Sequence, residues 1–522
     1  FADALVPWLR EAMSLRAAAL KAQGRPVLDF SVGEPDQGTP PNIVAAAKQA
    51  LDAGRTRYAP SAGLPELRAA VVAYAANPLY LDNEEWTNDD NPYRRQLRPQ
   101  VLGQLDFSRQ SGVDEVLDYE HLAAQRLLTT IYEADLMFLP KAGLGAKWSD
   151  FTAFYSPSNR ARGELIRPAL ERFAFGFLDR EVEVTGAWTA ASLEAFLREL
   201  QHRPPAEPSL AEQAIMKSTD QARAARMWLI QFAPDFLSEA SPMIRNLLGY
   251  YGPLQSEWFK IVIDEYGYGV HNMKHSTLFE RTLRSVDLRA DVHHYWQFYL
   301  GSSLLLNNYF HYLGKNHELF FRYLGALYYT ETTLVDFCER AANLLTGVFG
   351  ETADVGYFTE HQHIDQDHGR MALEKLVLAA VRSYGDGIIP EIVRGYEEFQ
   401  LIADLADRDL ATQIEWMDAG GRYKDLHDPV WSAIRSGKVA APVARLVEPR
   451  GELSNTHCHD GDELCHIVSG TMKFVNGFDA HQILSAGQGT VIRRNRLHGA
   501  IIESAECVYE IHSIGDYQRC LS

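Results

Sequence analysis

The pattern of hydrophobic and polar positions divides the chain into three stretches. Over residues 1–72, helix signals alternate with turn signals. Ser31-Val32-Gly33-Glu34-Pro35-Asp36 and Gly63-Leu64-Pro65 mark turns, and an alanine-rich stretch over 43–53 predicts a helix between them. From about 73 to 425, apolar residues recur at i, i+3 and i+4, which predicts a mostly helical region with loops of modest length. Helices are predicted over 280–286, 293–308, 320–345 and 371–382, and three prolines in 201–208 mark a loop. From about 433 the period falls to two. The runs 444–448, 465–469, 471–475, 490–493 and 508–512 are punctuated by glycine and asparagine, which predicts a small β-barrel of about 90 residues.

Composition narrows the picture. With 522 residues, 46% hydrophobic and 23% charged, the chain reads as a globular protein of two to four domains. No apolar run is long enough to span a bilayer, so no membrane association is expected. The opening residues lack a basic and apolar leader, which predicts a cytoplasmic protein. A net charge of −19 argues against nucleic acid as a partner. Five irregularly spaced cysteines predict reduced thiols rather than a disulfide framework.

Candidate chemistry lies in two places. In Glu360-His361-Gln362-His363-Ile364-Asp365-Gln366-Asp367-His368, the residues His361, Asp365 and His368 fall within a helical stripe about 60° wide. Two imidazoles and a carboxylate on one face make half of an iron site. His363 and Asp367 point away from the stripe, and His293, His294, His311 and His317 read as core or surface histidines. The remaining ligands must come from other helices, where carboxylates among apolar residues are costly unless paired or metal-bound. Glu239, Glu265, His275 and Glu331 are candidates of this kind, although pattern alone does not select them.

The second place is His457-Cys458-His459 with Glu463 and the distant His498. The span 451–470 matches the first motif of the cupins, and alternation along a strand puts His457 and His459 on one face with Cys458 turned away. In the second motif Gly487 and His498 stand in place, while Arg493 replaces the usual proline and Asn495 the usual glycine. Asparagine tolerates a left-handed backbone, so the turn is expected to survive. Three imidazoles leave positions on Fe(II) open for substrate and O2. Glu463 is a possible fourth ligand, and Tyr509 a possible substrate contact or an ordinary core tyrosine.

From about residue 67 onward the chain resembles the N-nitrosourea-forming multidomain iron oxygenases of streptozotocin biosynthesis. The resemblance is carried by Asn91-Pro92-Tyr93-Arg94-Arg95-Gln96-Leu97-Arg98-Pro99-Gln100 and by residues 232–243, 263–275, 311–320 and 451–470. It implies a helical dimerisation region over 73–175, an all-α haem-oxygenase-like diiron oxidase domain over 176–425, and a cupin over 433–522. The family's seven-ligand pattern carries over as Glu239, Glu265, His275, Glu331, His361, Asp365 and His368, and its cupin iron as His457, His459 and His498.

The implied activity is N-hydroxylation of the guanidine of Nω-methyl-L-arginine, followed by cupin-catalysed oxidative rearrangement to an N-nitrosourea. The implied requirements are two Fe(II) in the helical domain, one in the cupin, O2 as co-substrate, no haem, an external electron donor and a homodimer. Two other readings stand beside it: a guanidine N-hydroxylase with a silent cupin, and a non-enzymatic iron- or ligand-sensing protein.

Residues 1–72 resemble the start of fold-type I, PLP-dependent aminotransferases, through residues 29–36, Thr39-Pro40-Pro41 and Arg57-Tyr58 with Gly63 and Leu67-Arg68. The Schiff-base lysine and pyridine-binding aspartate of that family have no counterpart here, so PLP is not expected as a cofactor.

Overall fold

The computed structural model describes Lys48 and residues 90–95, 97, 105–201, 207–249 and 252–521. Two compact units separate at Ser61, and the described residues other than Lys48 all belong to the second, Ala62–Ser522. Lys48 is helical and exposed, while the other helix and turn expectations over 1–72 lie outside the described residues.

Of the helices among the described residues, these carry or brace the features below: α1 (Tyr119–Glu133), α2 (Pro157–Phe175), α3 (Gln221–Phe236), α4 (Pro253–Glu265), α5 (His275–Ser285), α6 (Gly301–Lys315), α7 (Phe320–Phe349), α8 (Gly356–Met371), α9 (Ile389–Asp418) and α10 (His427–Arg435). Local chemistry starts several of them. Ser156 accepts a hydrogen bond from the Asn159 amide with Pro157 in the first turn of α2, and Asp220 accepts from the Arg223 amide ahead of α3. One apolar core holds Trp228, Trp258 and Trp296, all but fully buried. Among the described residues no helix is long and apolar enough to cross a membrane.

The longest helices, α7 and α9, cross at a glycine pair. A β-carbon on Gly325 would sit 1.8 Å from the Ile392 carbonyl oxygen, and one on Gly395 would sit 1.9 Å from that of Arg322. Backbone atoms cannot swing aside as a side chain can. Gly325→Ala is therefore expected to destabilise the helical domain by about 3 kcal/mol, the upper range for overpacking. Loss of helical circular dichroism at a lower temperature than in the parent protein is the check.

The predicted helix over 293–308 is shorter in the structure. His293 adopts a left-handed backbone with φ 57, and regular α-helix begins only at Gly301. The polar groups before it are committed elsewhere: His293 hydrogen-bonds buried Glu133 at 2.7 Å, and the Gln297 carbonyl accepts from Arg126 at 3.4 Å. Over 371–382 the chain stays helical but widens, with π-helical turns at Ala372–Val377 directly after α8.

Eight antiparallel strands follow: β1 (Val443–Pro449), β2 (Leu453–His457), β3 (Asp462–Ser469), β4 (Thr471–Gly477), β5 (Ala480–Ser485), β6 (Gly489–Ile492), β7 (His498–Ile502) and β8 (Glu506–Gly515). They pair as two four-stranded sheets, β1-β8-β3-β6 and β2-β7-β4-β5. The expected barrel is thus a pair of separately hydrogen-bonded sheets, the double-sheet arrangement that cupins also use. Met472, Phe474, Ile492, Ala500 and Tyr509 pack between them.

This β-region is fastened to the helices by buried polar bonds. The Arg126 guanidinium on α1 donates to the Thr456 carbonyl at 2.8 Å and to its hydroxyl at 2.9 Å. On α9, the Gln413 amide donates to the carbonyls of Asn476 (2.9 Å) and Leu497 (3.1 Å), and Asp409 pairs with Arg496 at 2.8 Å.

Candidate metal centres

The helical centre is assembled from chain ends as much as from helices. Helix α3 runs through Pro234 and stops at Phe236, where the Ser238 amide turns back to the Asp235 carbonyl. Glu239 therefore lies in the turn beyond, just before Ala240 at φ 62, rather than on the apolar helix expected from sequence. Helix α4 ends on Glu265 because Gly267 and Gly269 take positive φ values of 56 and 80. A β-carbon on Gly267 would lie 2.4 Å from the Met273 backbone, so only glycine fits this return to His275 at the start of α5. Glu331 is buried on α7, and His361, Asp365 and His368 are buried on one face of α8. His363 and Asp367 are exposed, as the stripe predicts.

These residues converge into two overlapping groups. One holds Glu239, Glu265, His275 and His361; the other holds Glu265, Asp365 and His368; ligating atoms within each lie within 4.8 Å of one another. Glu265 belongs to both, which is the position of a bridging carboxylate. Glu331 joins through His368, whose Nδ1 lies 3.4 Å from its carboxylate. His275 Nδ1 is 2.7 Å from Glu265, and His361 Nε2 is 3.0 Å from Glu239.

Outer partners set the imidazoles. His361 Nδ1 donates to the Tyr357 carbonyl at 2.9 Å, which turns Nε2 to the cluster, and His368 Nε2 donates to Asp264 at 3.0 Å, which turns Nδ1 there.

The electrostatics call for cations. Burial disfavours the charged form of His361 and His368, yet the surrounding carboxylates raise both well above the ordinary histidine range. Burial pushes Glu331 up to about 7. Both Asp365 oxygens, Glu239 Oε2 and His368 Nδ1 are buried without a hydrogen bond. Each such atom costs about 1–3 kcal/mol unless something occupies the space between them. Oxygen-rich donors with a few imidazoles suit a divalent transition metal such as iron, so the residues present fit one.

Sequence reading missed three neighbours. The Tyr357 hydroxyl donates to Glu239 Oε1 at 2.8 Å, Asp264 holds His368, and Asp235 is pushed up to about 7 by burial and then by Glu239 and Glu265. A spacing signal existed for Tyr357, which stands four before His361 on one helix, whereas Asp264 and Asp235 lie in the last turns of α4 and α3 and meet the cluster across element boundaries that no period spans. Tyr357→Phe keeps the ring packed on Phe236 and Phe279 and keeps the carbonyl that holds His361. It removes only the hydroxyl on Glu239, and should weaken Fe(II) binding by about 10- to 100-fold in an anaerobic titration.

The second group is His457, His459 and His498, whose ligating atoms also lie within 4.8 Å of one another. His457 Nδ1 donates to the Asn455 carbonyl (2.8 Å) and His498 Nδ1 to that of Arg496 (2.9 Å), leaving each Nε2 for a metal. His459 lies past the end of β2 rather than within it, and Cys458 is buried with its thiol toward the Leu117 carbonyl. Asn495 takes φ 58, so the turn survives without glycine. Glu463 sits 3.2 Å from His459 Nε2 and outside the three-histidine group. Tyr509 packs in the core with its hydroxyl donating to Glu448 at 2.8 Å. Tyr119 of α1 packs edge-on against His457.

A carboxylate-and-histidine cluster inside a haem-oxygenase-like helical domain defines an iron-containing oxygenase, and residues 226–401 match the family of iron-containing redox enzymes. The nitrosourea synthase of Streptomyces achromogenes subsp. streptozoticus is 68% identical over 456 residues, 87% of this chain and 97% of that protein. The chain belongs to the nitrosourea synthase family. Residues 25–87 match the aminotransferase class I and II family. There the aspartate/prephenate aminotransferase of Cereibacter sphaeroides is 52% identical over 60 residues, 12% of this chain and 15% of that protein.

Proposed function

We propose that the protein hydroxylates the guanidine of Nω-methyl-L-arginine at the helical centre and oxidatively rearranges the dihydroxylated product to an N-nitrosourea at the three-histidine centre. In that rearrangement O2 is the four-electron oxidant, with one of its oxygen atoms retained and the other leaving as water. The observation that carries this reading is the presence of two separate ligand groups, one rich in carboxylates and one purely imidazole, on one chain of this family. Glu239, Glu265, His275, Glu331, His361, Asp365 and His368 would hold two Fe(II), and His457, His459 and His498 a third. The four carboxylates of the first set would balance the charge of two divalent ions. Iron at these positions supplies O2 activation.

The chain's own residues do the rest. Glu265 holds both halves of the helical centre at one spacing, and Tyr357 and Asp264 fix the faces of Glu239, His361 and His368. Burial of the α8 residues keeps bulk water from the reacting nitrogen. Asp235, beside Glu239 and Glu265, offers a further carboxylate to a guanidinium N–H. Each hydroxylation replaces an N–H by N–OH, sends the second oxygen atom to water, and takes two electrons and two protons from an external reductant. The reading includes a homodimer, and five unpaired buried cysteines support a cytoplasmic location.

The test is mass spectrometry of the products formed by Fe(II)-reconstituted protein from Nω-methyl-L-arginine, O2 and a reductant. An N-nitroso product supports both centres in series. Hydroxylated arginines alone leave the second centre without its proposed role, and unchanged substrate removes the substrate assignment.

A further inference from the structure

A cleft of about 1060 Å³ opens beside the helical centre. Three of its wall residues are sequence neighbours of candidate iron ligands on three different elements: Ser238 precedes Glu239, Tyr266 follows Glu265, and Lys274 precedes His275. The cleft therefore adjoins the three chain segments that carry Glu239, Glu265 and His275.

The charge of the wall is opposite to that of the chain. Arg160, Arg245, Lys274 and Lys315 line it against two carboxylates, Asp135 and Glu164, whereas the whole chain carries −19. Three of these cations are already engaged. Arg160 pairs with Asp135 at 2.7 Å, and Lys315 with Glu164 at 2.6 Å. Arg245 donates to the Tyr132 carbonyl at 2.6 Å and lies 3.7 Å from Asp135. Lys274 is different. Among the described residues it forms no ion pair, and its ammonium lies over the Tyr266 ring, 4.5 Å from the centroid. Glu280, the nearby carboxylate on α5, is taken by Lys141 at 2.8 Å and Arg284 at 2.7 Å. A partly buried cation held by an aromatic face, without an ion pair among the described residues and in a cleft whose wall carries more cations than carboxylates, has the attributes of an anion-binding group.

We infer that this cleft seats the amino-acid substrate and that Lys274 binds its α-carboxylate, leaving the guanidinium to the carboxylate-rich cluster beyond. The inference rests on the proposed activity toward a methylated arginine. It adds a residue that selects an α-amino acid over a simple guanidine.

Iron-loaded protein, held anaerobically so that no turnover occurs, is titrated with Nω-methyl-L-arginine and with its decarboxylated counterpart, Nω-methylagmatine. Lys274→Ala should weaken binding of the amino acid by about tenfold or more, the loss of one charge-assisted contact. Lys274→Arg should restore much of it. Methylagmatine should bind the parent protein weakly and Lys274→Ala no more weakly still. Under turnover the same factor should appear in KM with kcat little changed. Unaltered binding in Lys274→Ala, or equal losses for both ligands, overturns the assignment. If parent protein hydroxylates methylarginine with a KM indifferent to Lys274, the subsite falls and the activity stands. If binding depends on Lys274 and on the carboxylate but no hydroxylation follows, the subsite stands and the activity falls.

Discussion

His361→Ala is expected to abolish guanidine hydroxylation while leaving conversion of synthetic dihydroxylated methylarginine intact. His361 stands at the meeting point of the first ligand group: Nε2 is 3.0 Å from both Glu239 and His275 Nδ1, and 3.8 Å from Glu265. Alanine removes one ligating atom and leaves a buried gap among carboxylates already short of partners. Loss of a supporting hydrogen bond around a metal costs about 10- to 100-fold, so loss of the ligand itself should exceed a hundredfold. Glu331→Ala should act in the same direction from the other half of the centre, through His368. Oxygen uptake and product mass spectrometry read the effect. A wild-type hydroxylation rate in either variant would show that the α8 cluster is not where the guanidine is oxidised.

The mirror-image result is expected at the other centre. His498→Ala, or His457→Ala, should let hydroxylated arginines accumulate and remove the N-nitroso product. Both imidazoles have Nδ1 tied to backbone carbonyls, and their rings stand 4.4 Å apart with His459 at 4.7 and 5.1 Å. Two remaining imidazoles do not make the three-sided frame that leaves an iron with defined open positions. The product ratio, rather than total oxygen uptake, is the decisive reading. An undiminished N-nitroso yield would assign the rearrangement elsewhere.

How far the sequence alone carried this picture differs residue by residue. The trio on α8 was legible because a single helix fixes the relative direction of residues 361, 365 and 368, and all three are buried together. Glu239, Glu265 and His275 sit at helix ends and in turns, where no period applies, so only likeness to the family singled them out. Their convergence depends on the turns at Ala240 and Gly267, whose effects on chain direction are local but whose meeting point is tertiary. The helix expected over 293–308 is present only from Gly301, and ahead of it His293, with φ 57, is tied by a buried hydrogen bond to Glu133, 160 residues away. In the β-region the strands were readable, yet their division into two sheets depends on pairings such as β1 with β8 that span the whole region. The Lys274 cleft was not legible at all, since its walls come from separate stretches of chain between Asp135 and His317.

The bonds that fasten the β-region to the helices land beside its histidines. Thr456, held by Arg126, directly precedes His457, while Arg496 and Leu497, held by Asp409 and Gln413, directly precede His498. The three-histidine group therefore takes its shape from the scaffold that carries the carboxylate-rich one. Cutting the chain between α10 and β1 would not release a free-standing catalyst, because it would strip these anchors from both histidine-bearing segments. The two proposed chemistries would share one framework, and a lineage that separated them into two genes would have to rebuild the histidine site from within its own sheets.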